Sequence, residues 1–154
     1  MTTARIFQIN VSQGGVPKFA LPVADVTVDG LVRDVQADRR HHGGPLRAVC
    51  LYSLERILAL QEEGHPIFPG AAGENVTVVG MDWASVAPGH KWRLGPDVVL
   101  EVVSYTPPCA TIKHCFQEQE QNRISQKHHP GWSRVYAQVI APGRIRVGDA
   151  ILPG

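Results

Sequence analysis

The sequence is most informative at the stretch Val98-Val99-Leu100-Glu101-Val102-Val103-Ser104-Tyr105-Thr106-Pro107-Pro108-Cys109. Its first residues predict a buried β-strand, because β-branched and other apolar side chains dominate them. The two prolines fix φ and disfavour helix in the residue before each, so the chain should leave the sheet as a stiff, extended lead to Cys109. Such a placement is typical of a metal ligand or a nucleophile. The alternative is a small buried thiol, since free cysteine is among the most buried residue types.

The composition predicts one globular domain over residues 1–154. The chain is 44% hydrophobic and 19% charged, with a formal net charge of +1. A near-neutral chain has no overall basic field, which argues against nucleic acid as a partner. Its apolar runs fall short of the roughly 20 residues that cross a bilayer. Because the N-terminus has no signal-peptide core and the three cysteines match no disulfide framework, we expect a cytoplasmic protein that does not bind membranes.

Turn signals divide the chain into short segments, which favours strands. Twelve prolines and fifteen glycines are spread along the sequence. We predict strands at residues 5–11, 26–28, 76–79, 98–104, 135–141 and 145–147.

One helix is predicted after Ser53, which can cap an apolar stripe that includes Ile57 and Leu58, and Gly64 can end it. A weaker helical pattern runs from about 114 to 123. Many short strands with one or two short helices predict a mostly β fold, a closed or nearly closed β-barrel, because closure removes exposed sheet edges.

A basic segment lies before the apolar residues at Val49, with the sequence Asp38-Arg39-Arg40-His41-His42-Gly43-Gly44-Pro45-Leu46-Arg47. Glycines let backbone N–H groups approach an anion, and guanidinium groups bind phosphate with two parallel hydrogen bonds. The segment therefore indicates either an anion-binding loop or a solvated basic loop. The adjacent histidines alone do not indicate zinc, because no second ligand pair at zinc-like spacing accompanies them.

Two other polar segments leave alternatives open. Glu74 and Asn75 follow a glycine-rich turn, where short polar side chains bond either to a ligand or to their own turn. Residues 123–136 are rich in cations and aromatics and lead into a predicted strand. They are able to stack on a heterocycle, hold a phosphate, or fill a barrel end.

Taken in order, these segments resemble the MOSC domain, a family named for the C-terminal domain of molybdenum cofactor sulfurase. The resemblance spans nearly the whole chain, which looks like a stand-alone, single-domain bacterial-type member. The residues that carry it are Gly14-Gly15-Val16-Pro17-Lys18, His42-Gly43-Gly44-Pro45 with Arg47-Ala48-Val49, Gly73-Glu74-Asn75-Val76-Thr77-Val78-Val79-Gly80, Pro107-Pro108-Cys109, and Arg134-Val135-Tyr136 followed by Gly143 and Val147-Gly148-Asp149.

The resemblance implies a β-barrel that binds the molybdenum cofactor. Cys109 falls on the family's cysteine, as the molybdenum ligand or as a carrier of sulfane sulfur, and a soft thiolate suits either role. Thr106 stands where some relatives have an arginine. The further candidates implied are Lys18, Arg39, Arg47 and Arg134 for the cofactor phosphate, and His42 and Asn75 for the pterin or the metal periphery.

Three functions remain open from the sequence. The first is an oxidoreductase that reduces N-hydroxylated compounds with electrons from a separate donor protein, because nothing in the chain resembles a flavin, iron-sulfur or nicotinamide motif. The second is a sulfur carrier for metal-sulfur cluster assembly, served by a sulfur donor protein, in which Cys115 is a candidate resolving thiol. The third is a non-catalytic module that binds the cofactor or a partner. Pyridoxal phosphate is disfavoured, because no lysine lies in a recognisable motif, and Cys50 is expected to pack in the core.

Overall fold

Alternating apolar side chains make β-strands the main elements of this computed structural model, which describes residues 3–14, 16–34 and 44–154. Arg39 and His42 lie outside the described residues. The strands are β1 (Arg5–Val11), β2 (Phe19–Leu21), β3 (Val23–Thr27), β4 (Gly30–Leu31), β5 (Val49–Ser53), β6 (Val76–Val79), β7 (Lys91–Leu94), β8 (Val98–Tyr105), β9 (Val135–Ala141), β10 (Gly143–Arg146) and β11 (Ile151–Pro153). The helix α1 spans Leu54–Glu62, and 3-10 helices span Pro45–Arg47, Trp83–Ser85, Ala110–Cys115, Gln117–Gln119 and Gln121–Ile124.

The strands form an eight-stranded and a three-stranded sheet. The larger sheet has the order β11-β7-β8-β9-β5-β6-β1-β2, and the smaller one has the order β10-β3-β4. Only the pair β5 and β6 is parallel among these ladders, and α1 lies in the connection between the two strands. A parallel pair needs such a crossover. The mostly β fold expected from the sequence is therefore present.

Within the described residues neither sheet closes on itself, so the predicted closed barrel is not confirmed. The strands β2 and β11 form the two edges of the larger sheet. Residues 148–151 do approach β1: Gly148 N donates to Ile6 O at 2.8 Å, and Ile151 N donates to Ala4 O at 2.8 Å. They meet the part of β1 that β2 leaves uncovered, since β2 pairs only with Ile9, Asn10 and Val11. The contact is an isolated bridge and not a ladder.

The helix α1 forms where the sequence predicts it. Ser53 Oγ accepts a hydrogen bond from Arg56 N at 3.2 Å, which caps the first turn. Ile57 and Leu60 are fully buried, whereas Leu58 is half exposed. The buried face of α1 therefore includes Leu60 in place of the predicted Leu58. In the part of the chain that the structure describes, no helix is long and apolar enough to span a membrane.

The weaker helix expected at 114–123 is replaced by three short 3-10 helices. Phe116 has extended φ and ψ and separates the first two. Its side chain is buried and packs edge-on against His65, with ring centroids 5.4 Å apart. Cys115 and Phe116 are both buried although they are consecutive. Glu118 and Gln119 then have positive φ, of 55° and 58°, a conformation that an α-helix does not contain, so the helical pattern is interrupted there.

Candidate functional site

Cys109 stands just outside the sheet, at the end of the lead from β8. Thr106 N donates to Arg134 O at 2.8 Å, one residue beyond β8. Two prolines follow, and Cys109 has extended φ and ψ and precedes the 3-10 helix Ala110–Cys115. The residue is half-buried, and its Sγ lies 2.7 Å from Thr111 Oγ1. The thiol is thus neither in the core nor fully exposed.

Tyr136, in β9, lies next to one of the candidate site residues. Its ring is buried, and the guanidinium carbon of Arg47 lies 5.7 Å from the ring centroid. Burial raises the pKa of Tyr136, and the positive charges of Arg134 and Arg47 partly oppose the shift. The phenol therefore stays neutral, with Arg47 over its ring.

Arg134 is almost completely buried, with 4% of its surface exposed. Its Nη1 donates to Ala72 O at 2.6 Å and its Nη2 donates to Pro107 O at 3.3 Å. Its Nε is buried and has no hydrogen-bond partner within residues 3–14, 16–34 and 44–154. The guanidinium thus connects the turn at Ala72 to the segment that precedes Cys109, and it retains an unused donor.

Lys18 forms a buried ion pair that the sequence did not reveal. Its Nζ lies 2.6 and 2.7 Å from the two carboxylate oxygens of Asp34. The same carboxylate accepts hydrogen bonds from Ser12 N and from Asn75 Nδ2, both at 2.9 Å. Asp34 lies directly before the segment that contains Arg39. It is the residue that sequence reasoning missed, because no motif includes it.

Asn75 holds the start of β6 against β5. Its backbone N donates to Cys50 O at 2.7 Å, and its Oδ1 accepts from Cys50 N at 2.9 Å. Its Nδ2 donates to Asp34 and, at 3.4 Å, to Asn10 O. Both ends of this amide are therefore used within the protein.

Glu74 is a fully buried carboxyl group beside this network. Its Oε2 accepts from Gly70 N at 3.0 Å and from Thr77 Oγ1 at 3.1 Å. Its Oε1 is buried and has no partner in the described residues. Burial raises the pKa of Glu74, and hydrogen bonds and the charge of Arg134 only partly oppose the shift. The neutral acid is the form that burial favours.

The other two thiols differ from Cys109. Cys50 and Cys115 are buried, and burial raises the pKa of both, that of Cys115 to about 12. Cys115 therefore remains a thiol at neutral pH. This state does not favour the resolving role considered for it, because the thiolate is the nucleophile.

The aromatic segment at 123–136 is engaged with the protein itself. The Trp132 ring contacts the guanidinium carbons of Arg56 and Arg123 at 4.3 and 4.1 Å. Arg123 also pairs with Glu63, at 2.7 Å from Nη2 to Oε2. These contacts occupy the ring that was considered for stacking. An open cavity of about 430 Å³ lies beside this segment and is lined by His65, Glu120, Asn122, Arg123, His128 and His129.

Comparison with known proteins gives a consistent family match. The MOSC domain profile matches residues 38–152. Uncharacterized protein YflK of Bacillus subtilis is 33% identical over 116 residues, which are 75% of this chain and 51% of that protein. Protein YiiM of Escherichia coli is 31% identical over 121 residues, 75% of this chain and 52% of that protein. A protein named "Reductase" from Gibberella moniliformis is 31% identical over 115 residues, 71% of this chain but 20% of its own length.

Solved structures share the fold. The crystal structure of YiiM from Geobacillus stearothermophilus superposes with a TM-score of 0.75 at 23% identity, over 98% of this chain and 75% of that one. The YuaD protein from Bacillus subtilis superposes with a TM-score of 0.77 at 20% identity, over 97% and 94%. At these identities the likeness concerns the fold alone. The chain spans about half the length of the curated relatives YflK and YiiM.

Proposed function

The chain belongs to the MOSC domain family, and from this membership we propose that it binds the molybdenum cofactor through Cys109 and reduces N-hydroxylated compounds with electrons from a separate protein. The observation that carries the proposal is a half-buried thiol two residues beyond Pro107, whose carbonyl accepts from the buried guanidinium of Arg134 at 3.3 Å. A thiol in a partly exposed, cation-rich environment is suited to act as a thiolate ligand.

The donor set near Cys109 fits a metal that brings most of its own ligands. Among the described residues, no group of three or more His, Cys, Asp or Glu side chains is placed to hold a metal ion. A pterin dithiolene supplies sulfur ligands itself, so one soft protein thiolate is sufficient. Arg134 Nε is buried and has no partner in the described residues, so this guanidinium keeps one donor that the protein does not use. When bound, the cofactor would supply two-electron redox chemistry at its metal.

The phosphate and pterin contacts are shared among fewer residues than the sequence suggested. Asp34 takes two of the three donors of the Lys18 ammonium, which leaves one for a phosphate. Arg47, which lies over the Tyr136 ring, remains part of the proposal as a phosphate contact. Arg39 and His42 remain part of the proposal as phosphate and pterin contacts. The internal hydrogen bonds of Asn75 favour a role in holding the turn over direct contact with the pterin.

Two observations favour the reductase over the sulfur carrier. One relative bears the name "Reductase", although this chain matches only a fifth of its length. In addition, Cys115 is buried and its pKa is about 12, which disfavours a sulfur carrier that resolves through this thiol. A sulfur carrier that uses Cys109 alone and a non-catalytic binding module remain as outcomes of the test.

The test is the molybdenum and released-pterin content of protein purified from a cofactor-replete host. We expect near-stoichiometric metal in the wild type and in the control Cys115→Ala. In Cys109→Ala we expect the molybdenum content to fall about tenfold or more. Even residues that only hydrogen-bond a metal ligand typically change metal affinity by about 10- to 100-fold. Metal retained by Cys109→Ala would contradict thiolate ligation and favour a binding module. No metal in any form, with persulfide on Cys109, would favour a sulfur carrier.

The reductase activity itself is tested on loaded protein with a hydroxylamine or amidoxime and a chemical reductant. We expect turnover by the wild type and by Cys115→Ala. Molybdenum-loaded protein that leaves such compounds unchanged would contradict the reductase assignment while sparing cofactor binding.

A further inference from the structure

The residues between β8 and Cys109 have few backbone donors of their own. Pro107 and Pro108 have no N–H group, and Thr106 N is already used by Arg134 O. Such a segment has to be fixed through its carbonyl groups. The Pro107 carbonyl accepts from Arg134 Nη2 at 3.3 Å. The Arg134 side chain therefore attaches this segment to the protein interior two residues before the thiol.

The same guanidinium is attached at its other end to the turn at residues 70–73. Arg134 Nη1 donates to Ala72 O at 2.6 Å. That turn is itself held by Glu74 Oε2, which accepts from Gly70 N at 3.0 Å, and by Lys18 N, which donates to Gly70 O at 2.9 Å. Hydrogen bonds thus fix the turn, and Arg134 connects it to the segment that precedes Cys109.

We propose that Arg134 is a positioning residue for Cys109: its guanidinium, hydrogen-bonded to the Ala72 and Pro107 carbonyls, sets where the thiol stands relative to the turn at residues 70–73. The inference rests on the proposed function only in taking Cys109 as the functional thiol. An arginine is required because a planar guanidinium presents five donors in a fixed geometry, whereas a lysine offers one nitrogen. Lysine keeps the charge but cannot hold both carbonyls in the same way.

The test follows alkylation of Cys109 by iodoacetamide, with peptide mass spectrometry, across the pH range in which thiols ionise. In Arg134→Lys we expect the alkylation rate of Cys109 at high pH to rise about fivefold. The loss of one hydrogen bond makes local opening of the segment more frequent by about that factor. Arg134→Gln cannot hold both carbonyls either, so we expect a comparable rise in its rate. The matched control is Arg144→Lys, an exposed arginine paired with Asp25.

A second measurement on the wild type does not depend on any variant folding. The Nη groups of Arg134 should give separate proton–nitrogen resonances with slow proton exchange, because carbonyl hydrogen bonds hinder rotation of a guanidinium. Averaged, fast-exchanging Nη resonances would overturn the proposal. So would an Arg134→Lys profile that matches those of the wild type and Arg144→Lys. Molybdenum is measured on the same samples. If the cofactor proposal is wrong, the metal is absent, and the alkylation rates still test the positioning role of Arg134 independently.

Discussion

The three thiols of the chain differ in what surrounds each sulfur atom. Cys50 lies in β5 with Thr106 Oγ1 3.8 Å away, and Cys115 is the last residue of the 3-10 helix Ala110–Cys115. Both are buried and have a raised pKa. Cys109 is partly exposed, and the guanidinium of Arg134 holds the Pro107 carbonyl two residues before it. Reactive cysteines occur in environments of this kind, and buried structural ones are inert.

This difference predicts selective labelling. At mildly alkaline pH we expect iodoacetamide to modify Cys109 about tenfold or more faster than Cys50 or Cys115, because only thiolates react and burial keeps the other two protonated. Time-resolved peptide mass spectrometry of the native protein measures the three rates. Protein unfolded in guanidinium is the control, in which the three rates should converge. Native labelling of Cys115 as fast as that of Cys109 would contradict the assignment of Cys109 as the accessible thiol.

Sequence reasoning located Cys109 but not the contacts of its surroundings. The two prolines before Cys109 are a local signal, so the sequence alone predicts that this segment leaves the sheet. Whether Arg47 meets Tyr136 depends on the register of β5 against β9, which no local pattern gives. Asp34 lies sixteen residues from Lys18, and only the folded path of the chain brings the two together.

At the scale of elements, the segments with a clear local signal were predicted best. The bounds of β1, β6 and β9 agree with the predicted strands, and β8 is longer by Tyr105 alone. The strand expected at 26–28 lies at Val23–Thr27, and that expected at 145–147 lies at Gly143–Arg146. Period-2 patterns and caps are local, whereas closure of a sheet and the 3-10 region depend on packing between distant segments. The sequence could not supply that information.

The buried carboxylate of Asp34 joins the end of β1, the residue Lys18 and the turn before β6. We expect Asp34→Asn to lower the free energy of unfolding by about 3–5 kcal/mol, because it leaves a buried ammonium without its counter-charge. Asp25→Asn is the matched control, since Asp25 pairs with Arg144 at the exposed surface and such pairs contribute little. Chemical denaturation measures both. Equal, small losses in the two variants would show that the Lys18 pair is not a structural connection.

For the whole molecule, burial of Glu74 gives stability a defined dependence on pH. The ordinary pKa of this carboxyl is 4.5, and burial raises it in the folded state. Between the ordinary and the raised value the folded protein holds a proton that the unfolded chain has released. Stability from this group is therefore fully present below pH 4.5 and is lost as the pH rises toward the folded-state value.

Glu74→Gln removes this dependence because the amide cannot ionise and is able to keep the bonds from Gly70 N and Thr77 Oγ1. We expect the free energy of unfolding of Glu74→Gln, relative to wild type, to increase as the pH rises above 4.5. For one proton the slope reaches at most about 1.4 kcal/mol per pH unit. Chemical denaturation at several pH values measures it, and Glu62→Gln, at the exposed end of α1, controls for the loss of one carboxyl group. A relative stability that falls with rising pH would show that Glu74 is ionised in the fold, with the buried guanidinium of Arg134 as its counter-ion.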